Sequence, residues 1–174
     1  MRKPIRPVVI DGDVVRVPLT QGLEAVVDLA DLALVEGRNW HAHRGGLTFY
    51  ALTGVAASTP RGRTELPMHR AIMGCGDGDP DVDHIDHDGL NNRRSNLRLA
   101  TESQNLANQR PQTGRSSRFK GVHWNKQRQR WQASITHHGR KRHLGLFDDE
   151  ETAARTYDSA AIETFGEFAL INFP

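Results

Sequence analysis

A chain of 174 residues with 37% hydrophobic content and a formal charge of +2 can hold two or three small modules but is too polar for one large core. Its single cysteine, Cys75, excludes a disulfide framework and a cysteine-rich zinc site. No stretch has the length of a membrane helix, and Met1-Arg2-Lys3-Pro4 lacks the apolar core of a signal peptide, so a reducing, cytoplasmic setting with no membrane is expected.

In chain order, Val14 to Leu19 and Glu24 to Asp28 read as strands around the turn Thr20-Gln21-Gly22. Asp31 to Glu36 reads as a short helix stopped by Gly37. Trp40-His41-Ala42-His43 and Leu47 to Leu52 suggest a hairpin around Arg44-Gly45-Gly46, with His41 and His43 as surface residues of an edge strand. Ser58 to Arg63 is a polar joint. Residues 1–66 are therefore expected to form a small β-rich region.

The stretch from Val82 to Asn108 carries the most chemistry. Asp83-His84 ends a short apolar approach, and Asp86-His87-Asp88-Gly89 follows as a turn in which Gly89 is expected to take positive φ. Leu97 to Ala100 alternates like a second strand. Thr101-Glu102-Ser103-Gln104 has the form of a capping box, so a helix is expected from Thr101, with Asn105 in its first turn. Asp83 and Asn105 offer hard oxygens of the kind Mg²⁺ or Mn²⁺ prefers. His84, on the opposite strand face from Asp83, can accept a proton from an attacking water. A single divalent metal, a general base and water suffice for phosphodiester hydrolysis. The competing reading is that Asp83, Asn91, Asn92 and Asn96 only cap turns.

These residues resemble the HNH endonuclease motif, in the branch found in phage and intron-borne homing endonucleases, and Met68-His69-Arg70-Ala71-Ile72 resembles that branch's helical lead-in. The resemblance implies a ββα-metal unit spanning 67–110. It implies catalytic roles for His84, as general base, and Asn96, as the brace that holds the loop and orients the histidine. Asp83 and Asn105 take the metal positions, and His87 has no place in the pattern. Residues 1–66 resemble the β-rich lead-in of phage nucleases, and a bacterial host's cytoplasm or nucleoid is the implied location.

From Pro111 to Phe147 there are nine Lys or Arg and no acid, whereas from Asp148 onward seven acids face one Arg155. Such a partition points to one face turned toward a polyanion. Phe119 to Asn125, Arg130 to His138 and Lys141 to Phe147 read as three strands. On the middle strand Trp131, Ala133 and Ile135 share one face, and Arg130, Gln132, Ser134 and Thr136 the other. A helix is expected from Asp149 to Gly166, with an apolar stripe of Ala153, Ala154, Tyr157, Ala160, Ala161 and Phe165. Trp131 is expected to pack in the core rather than stack on a base.

Phe119-Lys120-Gly121-Val122, Trp131-Gln132-Ala133, His143-Leu144-Gly145-Leu146-Phe147, Ala153 to Asp158 and Leu170 to Pro174 resemble the plant Apetala-type, ethylene-response-factor DNA-binding domain. That resemblance implies a sheet entering the major groove. Position by position it implies DNA contacts from Lys120, His123, Asn125, Ser134, Thr136, Lys141 and His143, to which the basic Arg128 and Arg130 are added. Several of these are Arg, Glu or Trp in the plant regulators, so a different target sequence is implied.

The expected fold is α+β: a β-rich region (1–66), an HNH unit (67–110), a linker (111–117) and a three-stranded antiparallel sheet on one helix (118–174). The expected function is a metal-dependent DNA endonuclease of homing type, with double-stranded DNA as partner and no protein partner implied. The alternatives are a non-catalytic DNA-binding regulator with a structural HNH unit, and an RNA-binding module, which exposed aromatic pairs on the sheet would have favoured.

Overall fold

The computed structural model describes residues 4–55, 65–111 and 114–174. The start of the chain, the joint Ser58–Arg63 and part of the 111–117 linker lie outside the described residues. The chain divides into two compact units, one up to Leu99 and one from Ala100 onward.

In the first unit, β1 (Val9–Asp11), β2 (Val14–Pro18) and β3 (Glu24–Asp28) form an antiparallel meander. Period-two alternation puts Val15, Val17, Ala25 and Val27 inside while Arg16 and Glu24 stay out. A 3-10 turn over Leu29–Asp31 runs into α1 (Leu32–Val35). Next, β4 (Trp40–Gly45), β5 (Thr48–Gly54) and β6 (Glu65–Pro67) make a second antiparallel sheet in that order. β4 is an edge strand, and on it His41 meets Glu65 at 3.1 Å. Helix α2 (Met68–Met73) stops at Gly74, whose left-handed φ of 69° favours glycine. β7 (Asp81–His84) then pairs with β8 (Leu97–Ala100). The strands β1 and β6, three residues each, were not legible in the sequence because neither alternates over enough positions.

One core runs through this whole unit. Val15, Val27, Val35, Trp40, Met68 and Ile72 are buried together with Val82 of β7 and Leu97 of β8. A two-stranded ladder is not stable by itself in water. Here it gains stability by burying those two side chains against the preceding sheets. The Trp40 indole, 1% exposed, donates to the Val35 carbonyl at 2.9 Å, so its polar atom is satisfied inside the core.

The second unit begins with α3 (Glu102–Asn108), which carries the expected capping box: Thr101 Oγ1 accepts from Gln104 N, and the Gln104 side chain accepts from Thr101 N at 2.9 Å. β9 (Val122–Asn125), β10 (Arg130–His137) and β11 (Arg140–Phe147) form an antiparallel sheet in the order β11-β10-β9. β9 starts at Val122 rather than Phe119, because Gly121 turns the chain at φ 77°. A Cβ there would lie 1.9 Å from the Tyr157 ring, so the position requires glycine. Helix α4 (Glu150–Phe165), capped by the Asp149 carboxylate, lays its alanine stripe on the sheet. The buried Asp158 carboxylate accepts from Asn172 N, Asn172 Nδ2 and Phe173 N at 2.8–3.0 Å, which fastens the chain end to the helix.

Helix α3 is part of this unit's core: Ala107 is buried with Ile135, Tyr157, Ala160, Ala161 and Phe165, and its carbonyl accepts from Leu170 N at 3.2 Å. The segment 67–110 is thus shared between the two compact units. Among the described residues no helix is long and apolar enough to cross a membrane.

Candidate active site and nucleic-acid interface

His84 and Asp83 end β7 on opposite faces, and each is 6% exposed. The loop that follows is held by its own side chains. Asn96 Nδ2 donates to Asp86 Oδ1 and to the Asn91 carbonyl, both at 2.8 Å, and Asn96 Oδ1 accepts from Asp86 N at 3.0 Å. Asp86 also accepts from Asp88 N and Asn91 Nδ2. Burial alone would raise the Asp86 carboxyl, but these donors outweigh it and hold it below the usual range.

The left-handed residue of the turn is His87, at φ 67°, and not Gly89 as the sequence suggests. Gly89 serves a different need: a Cβ there would lie 2.4 Å from the Phe49 carbonyl oxygen, and its N–H donates to Thr48 Oγ1 at 3.0 Å. The requirement is close approach to β5 rather than positive φ.

Asn96 braces the loop but makes no hydrogen bond to His84. That contact comes from Asn92, whose Oδ1 lies 3.3 Å from His84 Nε2. Asn92 Nδ2 faces the carbonyls of Leu90 (3.1 Å) and Gly89 (3.5 Å), which sets the amide orientation and directs Oδ1 at the imidazole. The proton is then placed on Nε2, and Nδ1 carries the lone pair. Asn92 is fully buried, with its own N–H on the Val26 carbonyl at 2.7 Å, and Val26 N donates to Leu90 O at 2.8 Å. The loop thereby extends the β3 edge of the first sheet. Sequence reasoning gave Asn92 only a turn-capping role; the doublet Asn91-Asn92 was the available signal.

Two arginines complete the anchorage. Arg93 reaches Asp28 and Asp13, each at 2.7 Å, and Arg94 grips the buried Asp31 at 2.8–3.2 Å while donating to Ile72 O. Burial pushes the Asp28 carboxyl up, but the Arg94 N–H and the Arg93 guanidinium bring it below the usual range.

His84 itself is held neutral. Burial pushes its imidazole below the ordinary histidine value, and this exceeds the opposing pull of Asn92, Asp86, Asp83 and Asp88. A neutral imidazole with a fixed tautomer can take a proton from water. On the other face, Arg98 Nε and Nη2 both contact Asp83 Oδ2 at 2.9 Å, a pairing the sequence reading missed. Tyr50 and His69 complete the surroundings, with ring centroids 5.8 and 5.0 Å from His84. Among the described residues no three His, Cys, Asp or Glu side chains cluster as an ion-holding set. Asn105 lies in the first turn of α3, half-buried, in the second unit.

In the second unit the strand register collects the polar side chains on one face. His123 stands opposite Gln132, His143 opposite Ser134, and Lys141 opposite Thr136. A bulge between Ala133 and Ser134 leaves Leu144 packed against the helix while His143 stays on the polar face. Burial pushes the His123 imidazole below its ordinary value, and the neighbouring Lys141, His143 and Arg115 push it the same way. A groove of about 750 Å³ runs along the face, with Arg110, Arg115, His123, Thr136 and Lys141 among its walls.

Other expected contacts are placed differently. Lys120 directs its ammonium at the carbonyls of Leu106, Ala107 and Gln109, closing the C-terminus of α3 as a cation does against exposed carbonyls. Asn125 organises the β9–β10 turn by accepting from Gln127 and Arg128 N, and its Nδ2 donates to Gln132. Arg128 is exposed in that turn, Ser134 is buried, and Arg130 pairs with Asp148 at 2.8 Å. Trp131 packs with the Phe119–Ala133 core and meets Trp124 edge-on at 5.1 Å, as expected of a core residue.

Residues 76–107 match the family model described as HNH endonuclease. An uncharacterized HNH endonuclease of Acanthamoeba polyphaga mimivirus is 35% identical over 157 residues, covering 87% of this chain and 76% of that protein. The chain belongs to the HNH endonuclease family. Protein 3.8 of Escherichia phage T7 is 34% identical over 88 residues, 51% of this chain and 72% of that protein. A 59-residue segment, 34% of the chain, is 41% identical to part of an AP2-like ethylene-responsive transcription factor of Arabidopsis thaliana, 19% of whose length it covers.

Proposed function

We propose that this HNH-family chain is a metal-dependent DNA endonuclease of homing type that hydrolyses phosphodiester bonds at sites chosen with the help of its second unit. The observation that carries the reading is the buried, neutral His84 with Nε2 on Asn92, an arrangement that a turn-capping role does not require. His84 Nδ1 takes the proton of the attacking water, and Asn92 fixes the tautomer that makes this possible. Asp83, steadied by Arg98, offers a hard oxygen of the kind Mg²⁺ or Mn²⁺ prefers, and Asn105 is the second ligand that the family resemblance implies; a bound ion would supply charge stabilisation to the scissile phosphate. The shared polar face carrying His123, Thr136, Lys141 and His143 supports duplex DNA as the partner, as does the likeness to a plant transcription factor.

The test is incubation of the full chain with supercoiled plasmid and Mg²⁺ or Mn²⁺, with and without EDTA. Metal-dependent nicking or linearisation, absent in His84→Ala, supports the reading. Equal cleavage by the His84 variant removes it.

A further inference from the structure

Beside His84 stands a residue that neither the motif nor the charge pattern singles out. Tyr50 projects from β5, and its ring centroid lies 5.8 Å from that of His84 and 5.7 Å from that of His69, while the two imidazoles are 5.0 Å apart. The three rings, from β5, α2 and β7, close a triangle around the candidate base.

The space for the phenol is built by glycines from two separate segments. A Cβ on Gly45 would fall 2.6 Å from the Tyr50 ring, and one on Gly89 would fall 2.7 Å from it. Real side chains essentially never approach so closely, so both positions must stay bare for the ring to lie where it does. Gly89 is itself fixed by the Thr48 hydroxyl on the same strand. Packing alone would be met by phenylalanine, which has no polar atom to accommodate. The tyrosine hydroxyl makes no hydrogen bond to another described residue, although its ring is half-buried. A phenol bears its proton at neutral pH, so the hydroxyl is available there as a donor.

We propose that Tyr50 is a further catalytic residue of the nuclease site, its hydroxyl donating a hydrogen bond to a nonbridging oxygen of the scissile phosphate. The inference rests on the nuclease reading above. A hydroxyl donor aimed at the phosphate stabilises the charge that gathers on its oxygens in the transition state. A preset donor also needs little reorganisation as the pentacoordinate state forms. The glycine slot supplies that preset geometry.

The experiment compares wild type and Tyr50→Phe in single-turnover cleavage of a duplex taken from a plasmid site that the wild type cuts. Phenylalanine keeps the ring and its packing, so the circular dichroism spectrum and the affinity for the duplex in EDTA should match wild type. The cleavage rate at saturating enzyme should fall about 10- to 100-fold, the scale of one hydrogen bond to a charged group. A duplex with a single phosphorothioate, tested as each diastereomer, gives the second readout. Sulfur in place of the accepting oxygen should slow the wild type and add little further loss to Tyr50→Phe. If Tyr50→Phe cuts at the wild-type rate, or if both proteins show the same penalty for each diastereomer, Tyr50 only packs and the proposal is overturned. If the wild type itself does not cut any DNA, the nuclease reading fails and this assignment with it, an outcome distinct from an active Phe variant.

Discussion

Replacing Asn92 by alanine tests the link between the fold of the first unit and its chemistry. The side chain is fully buried, and its loss removes the acceptor for His84 Nε2–H together with the donor facing Leu90 O and, more weakly, Gly89 O. Leu90 O keeps the Val26 N–H, so the buried group that loses its acceptor is the His84 Nε2–H, and such a loss costs about 1–3 kcal/mol of stability. That is a sizeable part of a typical total of about 5–15 kcal/mol, and most of the variant should still be folded at low temperature. Cleavage should fall further than folding does. Without the Nε2 contact the imidazole loses its preferred tautomer, and the loss should approach the roughly 10²–10⁴-fold contribution of a general base. Asn92→Asp supplies the signed companion. It keeps an acceptor at the same place but adds a negative charge about 3.3 Å from Nε2, which at an effective dielectric near 20 favours the imidazolium by up to about 5 kcal/mol. The acid limb of its pH–rate profile should therefore move to higher pH by at least about one unit. Urea titration measures the folded fraction, and single-turnover nicking of plasmid at several pH values measures the rate. A folded Asn92→Ala that nicks like wild type, or an Asn92→Asp profile superimposable on wild type, would refute the orienting role.

In the wild type the depressed His84 value has a definite direction. The base must be neutral to act, so cleavage should stay level as pH falls through the ordinary histidine value near 6.5 and decline only below it; an acid limb centred at or above 6.5 contradicts the burial argument. The same depression means that, below about pH 6.5, the unfolded chain takes up a proton that the native site refuses until lower pH, so His84 subtracts from stability across that window. Chelation with EDTA should abolish cleavage and leave the circular dichroism spectrum unchanged, since no described cluster of ligands ties the fold to a metal; loss of structure would reveal a structural ion. Lys120→Met should lower the melting temperature of the second unit while leaving the salt slope of DNA binding intact, because its ammonium serves the α3 carbonyls. Lys141→Met, on the polar face, should instead reduce that slope by about 0.9; the reverse pattern would return Lys120 to the DNA contacts.

What the sequence determined by itself is what short-range physics controls. The capping box at Thr101, the span of α4 from its Asp149 cap to Gly166, and the two faces of β10 all depend on residues a few positions apart, and all are found as expected. The chemical types at Asp83, His84, Asn96 and Asn105 were likewise visible, because ligand chemistry resides in the side chain. Tertiary structure alone decided how those groups are held. Asn92 becomes the partner of His84 because β3 fixes its backbone, and Arg93 reaches aspartates 65 and 80 positions earlier in the chain. Gly89 and Gly45 make sense only once the Tyr50 ring and the Phe49 carbonyl lie against them. Lys120 belongs to a basic stretch whose pattern points outward, yet three carbonyls at the end of α3 draw its ammonium inward. No periodicity encodes such contacts. They arise where segments far apart in the chain are pressed together and each buried polar atom must find whichever partner the packing leaves within reach.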